Sequence, residues 1–155
     1  YEAWYLMALS KYRLEDYKGA DDDCRRALNL QPYIADIYEL YGMTNIRLER
    51  YDSAVTAYTH AIDIMPDNRD YWFNRVYCLY QIGDSKTALQ QLAYILKRWK
   101  SFDAAAQLRS DILAGRKPKQ QPVKSNTPPI YQLPSLRIDN NQNPMKNKPI
   151  LRLSQ

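Results

Sequence analysis

Residues 26–32 read RALNLQP, an apolar helix end followed by a proline. Residues 60–66, which lie 34 positions further along the chain, read HAIDIMP, with alanine, two aliphatic residues and proline at the same spacing. Proline lacks an amide hydrogen and disfavours helix at the residue before it, so each stretch predicts the end of a helix. Recurrence at a fixed distance of this size predicts a repeat protein.

Rows of 34 residues show the repeat along most of the chain, and a residue's position within its row is called its place. Trp4, Tyr38 and Trp72 share the fourth place, and the alanines at 20, 54 and 88 share the twentieth. Each row divides into two stretches with apolar residues three and four positions apart, which predicts two helices separated by polar residues. A helical hairpin of this kind cannot bury its apolar face alone, so we expect the hairpins to stack.

This pattern resembles the tetratricopeptide repeat family. The residues that carry the resemblance in the second row are Tyr38, Gly42, Tyr51, Ala54, Tyr58, Ala61, Ile62, Ile64 and Pro66. The third row keeps Trp72, Gly83 and Ala88, but Lys100 replaces the proline, so we interpret it as a degenerate last repeat. The resemblance implies an all-α fold, a right-handed superhelical array of antiparallel helix pairs with repeats at 1–34, 35–68 and 69–102.

A cap helix is predicted at residues 103–115, with Ser101 as its N-cap and Ala105, Leu108 and Ile112 against the last hairpin. Arg109 and Asp111 are expected to face solvent. Residues 116–155 hold seven of the nine prolines and a net charge of +7, whereas residues 1–115 carry −2. That composition predicts a disordered, basic, proline-rich tail.

Catalytic, cofactor and metal sites find little support in the sequence. His60 is the only histidine and falls at a place expected to face solvent, and the two cysteines, Cys24 and Cys78, suit burial better than metal binding. The run Asp21-Asp22-Asp23 is interpreted as a solvated helix start, because consecutive helical carboxylates diverge by about 100°. We therefore expect no enzyme activity and no cofactor.

Membrane and targeting signals are not evident in this stretch of chain. The apolar runs are far shorter than the roughly 20 residues that cross a bilayer. The chain opens at Tyr1, almost at the start of a row, so we expect earlier repeats in the full protein. Its compartment is left open.

Binding of a peptide is the function that the family resemblance implies. In this family the first helices of the repeats line a concave face, and certain of their places contact the ligand. Carried over to this sequence, the candidate peptide-binding residues are Tyr5, Leu9, Tyr12, Glu39, Met43, Asp70, Phe73, Tyr77 and Tyr80. The alternative is that these residues pack between neighbouring helices, in a structural or oligomerisation segment of a larger protein.

The composition of this face indicates an apolar or aromatic partner with basic character. Family members that grip a carboxylate use Lys, Asn and Arg at places that here hold Tyr5, Leu9, Leu40, Asp70 and Asn74. Carboxylate-clamp binding of chaperones is therefore disfavoured, since Asp70 would repel an acidic terminus.

The tail offers its own candidate ligands, residues 128–138 and 149–153, which alternate apolar residues with proline. Either could act as a latch on the repeats, within one copy or between self-associating copies; a plain solvated tail is the alternative. Nucleic acid is disfavoured as a partner, because the eight basic residues are spread over forty positions and only Tyr131 could stack.

Overall fold

The computed structural model describes residues 1–118, and these residues form seven helices without a strand. The helices are α1 (Glu2–Arg13), α2 (Tyr17–Leu30), α3 (Ala35–Arg47), α4 (Tyr51–Ile64), α5 (Arg69–Ile82), α6 (Ser85–Arg98) and α7 (Asp103–Leu113). Each helix packs on the next one along the chain, and α1 also contacts α3 as α5 contacts α7. The all-α array of helix pairs with a C-terminal cap helix is thus confirmed.

The first helix of every pair ends in the same turn. Glu15, Glu49 and Gly83 follow α1, α3 and α5 with positive φ angles of 66°, 59° and 95°. The next amide, as in Asp16 to the Lys11 carbonyl at 2.8 Å, closes the turn in each case. This is the Schellman arrangement, which satisfies carbonyls that the helix end leaves open. It reverses the chain so that the second helix runs back along the first.

The junction between pairs is held by the aromatic residue at the fourth place. The Tyr38 hydroxyl donates to the Pro32 carbonyl at 2.9 Å, and Trp72 Nε1 donates to the Pro66 carbonyl at the same distance. Proline ends the second helix, and the aromatic side chain of the following first helix bonds the carbonyl left there. The two prolines and two aromatic residues that reveal the repeat in the sequence therefore form one structural unit.

Two apolar clusters make up the core. One joins α1, α2 and α3 around Ala8, Leu9, Cys24 and Leu40, and the other runs from α3 to α7 around Tyr58 and Leu92. Cys24 and Cys78 are both buried and free, as the sequence predicts. Ala20, Ala54 and Ala88 are fully buried, so small side chains stand where the second helices lie against the rest of the array.

The cap helix departs from the sequence prediction at two residues. Its N-cap is Phe102 rather than Ser101, and no side chain caps it. Asp111 was expected to face solvent and is only 4% exposed, because Arg116 Nη1 and Gln107 Nε2 donate to its carboxylate at 2.6 and 3.0 Å. Ala105, Leu108 and Ile112 are buried as expected.

Candidate peptide-binding face

The candidate peptide-binding face is the side of the array formed by α1, α3 and α5, the helices to which all nine predicted binding residues belong. Six of these residues are apolar or aromatic core members with 7% exposure or less: Tyr5, Leu9, Met43, Phe73, Tyr77 and Tyr80. Glu39 is 9% exposed, whereas Tyr12 and Asp70 are half-buried. The predicted residues thus form mainly the floor of this face, and few of them project from it.

An acidic and aromatic cluster lies where the three first helices meet. Tyr5 of α1 and Tyr71 of α5 both lie within electrostatic range of Asp36 and Glu39 of α3, and the Tyr71 hydroxyl donates to the Glu39 carboxylate. Burial raises the pKa of both tyrosines, and the two carboxylates raise it further. Both phenols therefore stay protonated beside negative charge, and that of Tyr71 donates a hydrogen bond to Glu39.

Tyr71 belongs to this cluster although the sequence analysis missed it. It occupies the third place of its row, which is not among the family's ligand-contacting places, and Ala3 and Ile37 stand at that place in the other rows. The only signal in the sequence was that the third row has a tyrosine at this place, where the first two rows have the aliphatic residues Ala3 and Ile37.

Tyr12 connects the first two repeats at the other end of the face. Arg47 Nε donates to its hydroxyl at 3.3 Å, and its ring contacts Tyr17 edge-on with centroids 5.3 Å apart. Burial raises the pKa of Tyr12, and the positive charge of Arg47 opposes that shift. Tyr12, a predicted binding residue, therefore accepts a hydrogen bond from Arg47, which lies on the same face.

The cap helix covers the α5 end of the face. Phe73 packs on Phe102 with ring centroids 5.4 Å apart, and the Arg69 guanidinium lies 4.4 Å above the Phe102 ring. The Tyr80 hydroxyl donates to the Arg116 carbonyl at 2.9 Å. Both predicted residues consequently pack in the described structure, which is the alternative role that the sequence analysis left open for them.

The two edges of the face carry opposite charge. Glu2, Asp36 and Asp70 lie in the first turns of α1, α3 and α5, where carboxylates are favoured by the helix dipole. Arg13 and Arg47 lie in the last turns of α1 and α3. Eleven residues of helix separate the edges, about 16 Å at 1.5 Å per residue.

The run of three aspartates on α2 corrects the sequence interpretation. Asp21 and Asp23 are 3% and 0% exposed, so this is not a solvated helix start. Asn45 of α3 donates to Asp21 at 3.1 Å, and Lys11 of α1 pairs with Asp23 at 2.8 Å. Burial beside groups from neighbouring helices makes both carboxylates part of the packing, that of Asp21 between the first two repeats and that of Asp23 within the first repeat.

The described part of the chain holds neither a metal-binding cluster of side chains nor a helix suited to cross a membrane. Residues 1–118 bring no three His, Cys, Asp or Glu side chains together in a way that could hold a metal ion. His60 is exposed and stacks on Tyr38, with ring centroids 4.9 Å apart. Among the seven helices, none combines the length and apolar character needed to span a bilayer. The tail segments proposed as ligands, 128–138 and 149–153, lie outside the described residues.

Comparison with known proteins agrees with this architecture. Residues 1–33 and 35–68 each match the model of the tetratricopeptide repeat. No curated protein sequence matches the chain.

Three solved structures show the same fold at low sequence identity. The first TPR of Spaghetti (RPAP3), bound to an HSP90 peptide, superposes with a TM-score of 0.66 at 12% identity over 73% of this chain and 90% of that one. The translocator chaperone SycD of Yersinia enterocolitica type III secretion gives 0.60 at 18% identity, over 74% and 79%. An O-GlcNAc transferase mutant of Thermobaculum terrenum gives 0.60 at 21% identity over 72% of this chain, but only 21% of the transferase.

Proposed function

Because the chain is a tetratricopeptide-repeat protein, we propose that it is a protein-interaction module that holds an extended or helical peptide on the face formed by α1, α3 and α5. The observation that carries this proposal is the cluster of Tyr5, Asp36, Glu39 and Tyr71, to which all three first helices contribute. The transferase among the similar structures has no catalytic implication here, because that likeness shows the fold alone.

The cluster favours a partner with apolar or aromatic residues and basic character. Asp36 and Glu39 supply negative charge in surroundings of reduced polarity, where a Lys or Arg side chain gains more than at an open surface. Tyrosine rings provide contact area at small entropic cost. A ligand would touch the half-buried Asp36, Asp70 and Tyr12 directly, with the buried predicted residues supporting them from below.

A carboxylate-clamp ligand fits this face poorly. Of the matching places, Leu40 and Asn74 are fully buried, and Asp70 is acidic. An incoming carboxylate would meet repulsion at Asp70. The HSP90 peptide is bound by the Spaghetti repeat, whose 12% identity carries no ligand preference to this chain.

Charge reversal on the face tests the proposal. The full chain is titrated with two fluorescent peptides of matched tyrosine and leucine content, one bearing lysines and the other glutamates. We expect the basic peptide to bind about tenfold more tightly, which corresponds to about 1.4 kcal/mol. Asp36→Lys should remove that preference, whereas Asp63→Lys, on the exposed side of α4, should leave it intact. Equal binding of both peptides, or equal loss in both variants, would contradict the proposal.

The latch is a second candidate, favoured by where the tail begins. The carbonyl of Arg116 is bonded to Tyr80, a residue of the candidate peptide-binding face, and the tail is positive whereas the repeats are negative. The test compares amide spectra of the full chain with those of a chain lacking residues 119–155. Shifts at Tyr12, Asp36 and Asp70 would support a latch, and an unchanged spectrum for the repeats would exclude it.

A further inference from the structure

A row of carboxylates runs along the candidate peptide-binding face, with one member from each first helix. Glu2, Asp36 and Asp70 stand at the second place of their rows, in the first turns of α1, α3 and α5. Glu2 is exposed, and Asp36 and Asp70 are half-buried, so a ligand can reach all three. These three residues are called the carboxylate row.

The carboxylate row lies on the same side of the first helices as the buried residues of the face. The second, fifth and ninth places of a helix fall within about 60° of its circumference, which puts Asp36 on one side of α3 with Glu39 and Met43. Asp36 also lies within electrostatic range of Tyr5 of α1 and Tyr71 of α5. A cation bound by the row would therefore hold the chain that carries it over the aromatic residues of the face.

The charge of the row favours a ligand with several basic residues. Arg69 is the only Lys or Arg next to a member of the row in the sequence, and its guanidinium lies 4.4 Å above the Phe102 ring. The three carboxylates have the same sign and repel one another. A ligand cation opposite each carboxylate would relieve that repulsion, which a single basic residue could not do.

The spacing of the row follows from the packing of the first helices. α1 contacts α3, and the Tyr71 hydroxyl of α5 reaches the Glu39 carboxylate of α3. Helices in contact lie about 8–10 Å apart, so consecutive carboxylates of the row are separated by roughly that distance. A ligand matches the row when its basic side chains recur at this distance on one side of its backbone.

Polyproline II is the backbone conformation that meets this requirement in the shortest segment. It rises about 3.1 Å per residue with three residues per turn, so every third side chain returns to the same side after about 9.3 Å. Side chains on one side of a β-strand are about 6.6 or 13 Å apart, and neither distance fits. An α-helix returns every seventh residue after about 10.5 Å, but three charges then need about fifteen residues, a length at which isolated helices are marginal.

Resting on the proposed function, we propose that the candidate peptide-binding face takes a proline-rich segment of another protein in the polyproline II conformation, with Lys or Arg at every third position. Three of these basic residues meet Glu2, Asp36 and Asp70. The prolines between them lie over the aromatic side chains of the face, as proline-rich ligands do in other aromatic-lined grooves. The tail does not supply this pattern, because residues 116–155 contain no three Lys or Arg spaced by three positions.

Synthetic peptides of one composition test the spacing, with fluorescence anisotropy in the presence of the full chain as the readout. Three lysines and six prolines are arranged with lysine at every third position, or with the three lysines clustered at one end. We expect the spaced peptide to bind about tenfold more tightly, because only it pairs each lysine with its own carboxylate. Equal affinities of the two peptides would overturn the inference.

Two further peptides separate failure of this inference from failure of the proposed function. In the first, glutamates replace the lysines of the spaced peptide. Equal binding of the lysine and glutamate peptides would overturn both proposals, whereas a basic preference that ignores spacing would overturn only this one. The second is an alanine-rich helical peptide with lysine at every seventh position; tighter binding of this peptide than of the spaced one would overturn the polyproline II conformation.

A double-mutant cycle tests the central contact, which is the same whichever way the peptide runs. Replacing the middle lysine of the spaced peptide with glutamine should weaken binding to the wild-type chain about fivefold. The same replacement should hardly change binding to Asp36→Asn, because the carboxylate partner is already absent. Asp63→Asn, on the exposed side of α4, is the matched control and should show the full loss. Equal losses in the wild-type chain and Asp36→Asn would overturn the proposed register.

Discussion

Gly42 of α3 lies directly beneath the ring of Tyr58 of α4, so that a Cβ atom at position 42 would come within 2.7 Å of a ring carbon. Tyr58 is fully buried and cannot swing away without disturbing the core. The absence of a side chain at position 42 is what allows α3 and α4 to pack around this tyrosine. The glycine is therefore required for the close approach and does not serve to bend the helix.

Gly42→Ala should destabilise the protein by about 1–2 kcal/mol, since overpacking exceeds the gain of roughly 1 kcal/mol in helix propensity. Chemical denaturation measures the change. Thr56→Ala, an exposed substitution on α4, is the control and should change the free energy of unfolding by less than about 0.5 kcal/mol. Tyr58→Leu should relieve the clash, so a double variant no less stable than Tyr58→Leu alone would support this packing; strictly additive losses would argue against it.

Glu49→Gly should stabilise the protein by about 0.5 kcal/mol, because Glu49 holds a left-handed conformation with φ of 59°. Gly83 occupies the equivalent turn with φ of 95°, and nothing lies within 4 Å of a Cβ placed there. Gly83→Ala should therefore lower the free energy of unfolding by about 1 kcal/mol through backbone strain alone. Thermal denaturation checks both signs, and a stabilising Gly83→Ala would contradict the argument.

Asp23→Asn should cost about 1–3 kcal/mol of unfolding free energy, because Asp23 is fully buried and pairs with Lys11 and Arg26 at 2.8 and 2.9 Å. Asp22→Asn is its matched control: the neighbouring residue has the same chemistry but is exposed and pairs only with Arg25 at the surface. That change should cost less than about 0.5 kcal/mol. Similar losses in denaturation of the two variants would show that burial of Asp23 does not matter.

Alkaline pH should unfold the protein. Burial raises the pKa of Tyr51 from its ordinary 10 to about 12, and it raises the pKa of Tyr58 well above 10. Each tyrosine is neutral when protonated, and its pKa is higher in the folded protein than in the unfolded chain. The unfolded chain therefore loses its protons first as the pH rises, so the contribution of these groups to the free energy of unfolding is fully present below pH 10 and is lost above it. Ultraviolet absorbance should show tyrosine ionisation coinciding with loss of helix. Tyr51→Phe should make the decline between pH 10 and 12 less steep, and an unchanged slope would contradict the assignment.

The period of 34 residues was sufficient to predict the helix pairs, because the prolines and the place-four aromatics act locally. The binding role of residues such as Leu9 and Tyr77 could not be separated from packing, since the inner side of a first helix both faces the groove and contacts its neighbours. Whether one of these residues is covered depends on the volume of side chains two helices away. The binding role of the nine residues accordingly stays a prediction.

The burial of Asp21 and Asp23 could not be predicted from the sequence, because it too depends on residues of other helices. Their partners, Asn45 and Lys11, lie on other helices, and only the crossing of α2 with α1 and α3 brings them together. The sequence shows only that three aspartates follow one another, whereas the packing of α2 against α1 and α3 determines which of their side chains are buried. Asp111 was misjudged in the same way, because Arg116 returns to it after the helix has ended.

The bond between Tyr80 and the Arg116 carbonyl has a consequence for competition between ligands. It fixes Arg116 beside the candidate peptide-binding face, so a later segment that bound this face would do so as a tethered ligand. For a short flexible tether the effective concentration is in the millimolar range. If the proposed latch holds, a tail segment of low affinity would compete with an external peptide present at micromolar levels, and the apparent affinity for that peptide would depend on how much of the tail is retained.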